Sequence, residues 1–524
     1  MQIRNVERLA EDLVEKSFSV INDKKPLWDK LKYYYYTGTP NGSPALVNKV
    51  YSYVDTLASM LYAAQLTVFS INTPIGTPPE MIQLIPIVRD KLMQIWDVGD
   101  FDQVIDQAVK KSIVYGSCFI KTLWTDDGVR LYLINPWDFG VANQNIEHLD
   151  DQEWLIHRYY DTPENVKRYL KTIGKEYKFK QLSTIKREDG WDSSPFAHII
   201  NASLKSGGEI VVDENAQEIP EESKNDLIEM YEIWVKDDNL KDYRIITWNK
   251  DAGVIFDREN FYMKHNHPFS AIIPVPAGAY GYPEIQQILH LQDWVNERVS
   301  QLKELMYKQL FPSIAITGAA LTDEEAKLMY QTEGILNIAD PTAHITPITI
   351  PSNLQAVFAE LSEIDKLFYE ISGIKEIMLG GVNSSAVRTA EQTSTLAVLA
   401  SSRVKKKVFA IQNSLEKLAH LIVDLLRTYD KTKIPTQAGE ITLSFFDCEF
   451  EVKIDAHSQS PLFAMQWEQD LVFLLQSGII DGGQFVELKR FPNWQELQAR
   501  YYQRQQAAAQ AQIQLEQLKH GKKA

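Results

Sequence analysis

Residues 281–310 read GYPEIQQILHLQDWVNERVSQLKELMYKQL, and FPSIAITG follows at residues 311–318. A Gly-Tyr-Pro turn opens the stretch. Apolar residues then recur at Ile285, Ile288, Leu291, Val295, Val299, Leu302, Met306 and Leu310. Steps of three and four are the period of one helix face. The spacing predicts a single helix over 284–310, about 40 Å long at 1.5 Å per residue. It carries a polar cluster, Gln292, Asp293 and Asn296, and stops at Pro312. So long a straight helix in an otherwise mixed chain reads as a structural strut.

Working outward, the 524 residues suffice for two or three domains with a large core. A hydrophobic content of 44% and a charged content of 24% are those of an ordinary globular chain. No run is apolar over the length that a membrane helix needs. The start, MQIRNVERLAEDLVEK, reads as an amphipathic helix and lacks the pattern of a signal peptide. Two cysteines, Cys118 and Cys448, give neither a disulfide framework nor a metal site, and a reducing cytoplasm fits them. The net charge of −16 argues against tight nonspecific wrapping of nucleic acid. It is compatible with a wall past which DNA slides, because like charge reduces sticking.

Residues 1–70 read mainly helical, with an aromatic run WDKLKYYYY at Trp28–Tyr36 and a loop TGTPNGSP after it. A further helix is expected over Phe101–Val114, ending near Gly116. Ser117–Trp124 and Val129–Ile134 read as strands joined by the turn TDDG, and Trp154–Tyr160 as another strand. Thr162–Leu170 reads as a helix capped by Thr162, with Pro163 at its first position. Residues 180–226 are polar, and Asp213–Asp226 reads as an exposed loop. Ile228–Val235 and Tyr243–Trp248 resume strand character. Residues 313–355 mix short strands and turns, with a capping box at Thr322. Ala356–Ile371 is helical, GIKEIMLGGVNSSAV from Gly373 is a loop, and Thr389–Tyr429 reads as one long helix. Two strands follow, Glu440–Phe446 and Glu449–Asp455, and the chain is helical from Pro461 to a Gln- and Ala-rich end.

Five of these segments, in order, resemble the portal proteins of tailed bacteriophages. They are AVKKSIVYGSCFIKTLW with VRLYLINPWDFGV; HRYYDTPENVKRYL; GYPEIQQILHLQDWVNERVSQL, with a Gly-x-x-x-Ile entry and a Gln-Asp-x-x-Asn core; EISGIKEIMLGG with RTAEQTSTLAVLASSRV; and LLQSGIIDGGQFVELKRFPN. Each motif alone is loose, but together they span residues 45–510, with 171–280 matching poorly. The resemblance implies an α+β, predominantly helical portal fold assembled as a ring, commonly dodecameric. It divides the chain into a wing (1–283), a first stem helix (284–310), a clip (311–355) and a second stem helix (356–372). A tunnel loop (373–388), a long wing helix with a strand pair (389–460) and a helical crown (461–524) follow. It implies a non-enzymatic DNA channel at a capsid vertex of the virion, made in the host cytoplasm. Such a channel conducts genome packaging and ejection and nucleates head assembly. Its implied partners are other copies of itself, double-stranded DNA, the terminase large subunit, the major capsid and scaffolding proteins and the head–tail adaptor, with no membrane and no cofactor. The alternatives are a soluble enzyme with a helical oligomerisation domain and a ring scaffold outside any virus.

On that resemblance, Lys303 and Lys308 of the strut, and Lys375 and Arg388 bracketing the glycine-rich loop, are the expected phosphate contacts. Ring symmetry multiplies each into a belt whose pull is screened by salt and blind to base sequence. Gly380, Gly381, Asn383, Ser384 and Ser385 would let the loop shift as a duplex passes. The same residues would also suit a solvated helix face and a plain loop. No G-x-x-x-x-G-K-[ST] string occurs, so no ATPase site is expected. Arg403, Lys405, Lys406 and Lys407 are the densest basic run and read as a solvated helix face or as intersubunit salt bridges to neighbours' Asp and Glu. Cys118 opens an apolar strand and reads as a buried structural thiol rather than a nucleophile. His265 and His267 lack nearby partner ligands and read as loop residues. Tyr33–Tyr36 read as packing rather than as a base-stacking platform.

Overall fold

The computed structural model describes residues 6–62, 69–125, 128–162, 165–166, 184–186, 226–263, 265–310, 314–317, 344–347, 354–372, 402–436, 439–443, 449–454, 470–489 and 496–505. In chain order its first helices and strands are α1 (Val6–Thr37), α2 (Lys49–Leu61), β1 (Phe69–Asn72), α3 (Pro79–Val98) and α4 (Phe101–Tyr115). Strands β2 (Cys118–Thr125), β3 (Gly128–Ile134), β4 (Phe139–Val141), β5 (Trp154–Asp161), β6 (Thr184–Lys186), β7 (Asp226–Asp237), β8 (Asp242–Asn249), β9 (Gly253–Glu259) and β10 (Phe269–Ile272) follow. Then come α5 (Leu289–Leu310), β11 (Ile314–Thr317), β12 (His344–Pro347), α6 (Leu354–Ser372) and α7 (Ser402–Tyr429). The described part closes with β13 (Lys433–Thr436), β14 (Gly439–Thr442), β15 (Glu451–Ile454) and α8 (Gly482–Lys489). The chain forms two compact units: residues 1–25, 56–284 and 401–524, and residues 26–55 and 285–400.

The first unit is built on two antiparallel sheets. One has the order β10-β2-β3; the other runs β4-β5-β7-β8-β9, with β6 alongside β7. Strands β2 and β3 pair antiparallel, with Thr125 opposite Gly128. Their apolar faces meet in a ring cluster. Phe119 stacks on Phe139 at 4.2 Å, and Phe269 meets Phe139 and Trp234 edge-on. Successive strand residues face opposite sides, so Lys121, two residues after Phe119, enters the same layer. Helix α7 lies on β2, β10, β15 and α3. Its buried stripe, Val404, Val408, Ile411, Leu415, Leu418, Ile422 and Leu426, has helical period. The N-terminal part of α1 is pinned by Ser17, whose hydroxyl donates to Val141 O and accepts from Trp154 Nε1.

Two turns of this unit meet backbone to backbone. Gly116 ends α4 with φ +95°, and Gly281 of the Gly-Tyr-Pro turn has φ +60°. A Cβ on Gly116 would lie 2.6 Å from Tyr280 O, and one on Gly281 2.3 Å from Gly116 O. Both positions therefore exclude any side chain, by conformation and by space.

The second unit contains the opening stretch from Ile285 onward. Its first turn, Glu284–Ile288, is a 3-10 helix, and the α-helix proper is the 22-residue α5, about 33 Å long. Leu289, Leu291, Gln292 and Val295 are buried, whereas exposure climbs to 48% at Met306, 64% at Tyr307 and 73% at Leu310. Among the described residues the apolar stripe is thus covered only over its first half. Strands β11 and β12 pair antiparallel, Ile314 opposite Pro347. Residues 26–55, placed with the wing on sequence grounds, cluster with this unit.

Several expectations need amendment. The two strands after α7 do not pair with each other: β14 pairs with β13, and β15 with the distant β1. Helix α3 escaped the sequence reading because Pro86 interrupts its pattern, and α1 runs through Pro26. The Thr322 capping box, the Asp213–Asp226 loop as far as Asn225 and residues 389–401 of the long helix lie outside the described residues. So does most of the Thr162–Leu170 helix.

Candidate functional site

The polar cluster singled out in the sequence organises the second unit. Asn48 caps α2 by accepting the Tyr51 amide at 3.0 Å. That leaves the amides of Lys49 and Val50, and both are taken by Gln292 Oε1, at 2.8 and 3.3 Å. Gln292 Nε2 donates to Val47 O at 2.8 Å and to Asn296 Oδ1 at 2.9 Å. Asn296 Nδ2 continues to Gly38 O at 2.7 Å, just past the end of α1. Tyr34 donates to Asp293 Oδ1 at 2.6 Å, and burial together with that carboxylate raises its phenol above the ordinary range. Gln292 is fully buried and all of its hydrogen-bonding capacity is spent here. Replacing it by Ala orphans two amides and a carbonyl. The expected loss is roughly 2–4 kcal/mol by denaturant titration.

Helices α5 and α6 pack together. Glu360 of α6 accepts from Arg298 Nε at 2.7 Å and Trp294 Nε1 at 3.0 Å, while Asp365 pairs with Lys49 at 3.0 Å. Lys49 sits at Gln292, so advancing along α6 means retreating along α5, and the pair is antiparallel. The Arg298 hydrogen bond also holds the Glu360 carboxyl below its usual range. Among the described side chains of α6, Ile364 and Phe368 are buried.

Lys303 and Lys308 both lie on the exposed second half of α5. Lys308 pairs with Glu304 at 2.6 Å, which lowers the Glu304 pKa. Five residues apart, the two lysines point about 140° away from each other around the helix. The helix therefore does not bring them to one face. Lys375, Gly380, Gly381, Asn383, Ser384, Ser385 and Arg388 lie outside the described residues.

The other sequence candidates resolve into packing. Of the basic run, Arg403 and Lys406 are exposed and Lys407 forms a largely buried ion pair with Glu284. Of the tyrosines, Tyr34 is buried, Tyr35 stacks on Tyr51 at 5.5 Å, and Tyr33 and Tyr36 are exposed. Cys118 is buried, and burial pushes its thiol up to about 12, so it is no nucleophile. Among the described residues no group of three His, Cys, Asp or Glu side chains could hold a metal ion, and no helix is long and apolar enough to cross a membrane.

One cluster went unread in the sequence. Lys121 of β2 donates to both Glu232 oxygens at 2.9 Å, and its Nζ lies 3.4 Å from His157 Nδ1. Trp234 Nε1 donates to Glu232 Oε1 at 2.7 Å. Lys121, Glu232 and His157 are all fully buried. Burial lowers the Lys121 pKa while Glu232 pushes back. The signal available was a titratable residue inside each of three apolar strands, Lys121 in CFIKTLW, His157 in WLIHRYY and Glu232 in MYEIWV.

A family model described as the phage SU10 portal protein matches residues 91–441. No curated protein matches the chain. Among solved structures, a chain of the virion of a native gene transfer agent (GTA) particle is 10% identical with a TM-score of 0.38, over 84% of this chain and 89% of that one. A chain from the neck of an empty GTA particle has the same identity and TM-score, over 84% and 90%. A third, from the neck of a native GTA particle computed with C12 symmetry, is 10% identical with a TM-score of 0.36, over 84% and 89%. Likenesses this distant support nothing further.

Proposed function

The chain belongs to the phage portal protein family, and from that membership we propose that it forms the ring-shaped DNA channel at one vertex of a capsid. In this reading α5 and α6 are the stem, and the segment between them, with β11 and β12, is the clip. The clip docks the terminase motor during packaging and the head–tail adaptor afterwards. Residues 373–388 are the tunnel loop and residues 461–524 the crown. The role is structural, and ATP hydrolysis falls to the separate terminase. What carries the reading is the family match, which spans both helices and everything between them. Two further features support it: the antiparallel α5–α6 pair, and an apolar stripe on α5 left exposed at Met306, Tyr307 and Leu310, where neighbouring copies would cover it. A heterologous contact that closes by rotation makes a ring.

Lys303, Lys308, Lys375 and Arg388 are the proposed phosphate contacts, with Gly380, Gly381, Asn383, Ser384 and Ser385 supplying the give of the loop. Because Lys303 and Lys308 diverge around α5, one of them contributes more to the bore than the other. Negative-stain microscopy of the purified full-length chain should show rings with a bore wide enough for duplex DNA. Monomers or dimers at high protein concentration would sink the proposal. Deleting residues 380–385 should leave rings intact and cut packaging or DNA retention, and normal packaging by that variant would refute the loop's role.

A further inference from the structure

Beneath α7 in the first unit lies a cleft of about 830 Å³ whose lining includes Asp150, Lys236, Lys417 and His420. At its edge the carboxylate of Asp150 is gripped from several elements at once. Oδ2 accepts from Lys417 Nζ of α7 at 2.5 Å, and Oδ1 lies 3.0 Å from His267 Nε2. The His267 contact has ion-pair distance without the alignment of a hydrogen bond. Lys236 Nζ of β7 donates to the Asp150 carbonyl. His267 is fully buried, with Tyr243 of β8 edge-on at 5.5 Å. Its Nδ1 accepts the Phe269 amide at 3.3 Å, where β10 begins.

That last bond fixes the tautomer. With Nδ1 accepting, the ring proton sits on Nε2, facing Asp150. A second proton would have to go on Nδ1, against the Phe269 N–H. It would also add a cation next to Lys417 on the carboxylate and Lys236 on the Asp150 carbonyl. We propose that Asp150, His267 and Lys417 form an acid-sensitive clasp that holds α7 to the sheet and opens when His267 takes a second proton. The inference stands independently of the portal role.

The direction follows from linkage. Burial lowers the His267 pKa from its ordinary 6.5; Asp150 opposes this, and Lys417 and Lys236 reinforce it. The unfolded chain therefore binds this proton more readily than the folded one. The stabilisation is complete above the unfolded value and is lost as pH falls below it. Asp150 answers in a different range. Burial pushes its carboxyl up, but His267 and Lys417 outweigh that and hold it well below the usual carboxylate range. Other groups around the cleft are Asp237, Asp238, Lys241, Asp242, His265, Glu416, His420 and Glu451. His420 Nδ1 lies 3.3 Å from Asp424 Oδ2.

Hydrogen exchange of the full-length protein tests the clasp. Protection of residues 149–151, 267–269 and 413–421, corrected for intrinsic rates, is followed from pH 7.5 to 5. In the wild type it should fall by up to about tenfold per pH unit once His267 titrates. In His267→Gln, which keeps a donor towards Asp150 and cannot titrate, that pH dependence should vanish. Lys417→Met removes a neighbouring cation and brings the folded value of His267 closer to the unfolded one, so its acid-dependent loss of protection should be smaller than that of the wild type. An equal acid response in wild type and His267→Gln, no response in the wild type, or an undiminished response in Lys417→Met would each overturn the proposal.

Discussion

Lys121→Met should cost the folded chain about 3–5 kcal/mol, because it strands the Glu232 carboxylate between two sheets with its counter-charge gone. Both side chains are fully buried, so water does not replace the lost partner. Glu232→Gln added to Lys121→Met removes the stranded charge and still offers an oxygen to Trp234 Nε1. The double variant should therefore recover more than half of the single variant's loss. Denaturant titration of the four chains as a double-mutant cycle reads the coupling directly. Additive losses would mean that the pair is not a pair. A buried ion pair is weak support for stability as such, because desolvating both charges offsets most of their attraction. Its effect here is selective. Lys121 stands directly opposite Phe269, and His157 directly opposite Glu232. Sliding either strand by one residue would turn a charge out of the layer that matches it.

Gly116→Ala carries the second large effect. The residue must adopt φ +95°, and its new Cβ would press on Tyr280 O at 2.6 Å, which is backbone and cannot swing aside. Strain and clash together should cost roughly 2–4 kcal/mol. Gly128→Ala is the control, since φ is +104° but nothing lies within 4 Å of its Cβ. It should show the conformational cost alone, about 1 kcal/mol. Equal losses at the two positions in urea titrations would mean that the backbone approach between the turns is not the constraint.

How much of this was legible in the sequence depended on how local each cause is. Helices α4, α6 and α7, the β2–β3 hairpin and β5, β7 and β8 follow from periodicity and turn residues within a short window. Gln292, Asp293 and Asn296 were visible as polar residues in an apolar helix, but their task was not. The amides that Gln292 accepts lie 242 and 243 residues away in the chain. Lys121, His157 and Glu232 come from three strands, and each looks in isolation like a stray polar residue. Helix α3 failed for the opposite reason: a local rule, proline against helix, was overridden by packing of Leu84, Val88, Leu92 and Trp96. The run Arg403–Lys407 reads in the sequence as a solvated face or as salt bridges between subunits. That its member Lys407 instead reaches Glu284 within the same chain was not readable, because the contact spans 123 residues.

The pairing of β1 with β15 has a consequence in time. Ser70 and Lys453 lie 383 residues apart. At roughly 5–20 residues per second a ribosome needs about 20–80 s to supply the partner after β1 has been made. For that interval Phe69 and Ile71, both buried in the finished protein, have no β15 to lie beside. The strand is only four residues long and alternates with polar Ser70 and Asn72. A short, half-polar edge is poor material for pairing with another nascent chain. The waiting strand is thus as inconspicuous as its final role permits, and this unit of the chain is completed only after β15 has been made.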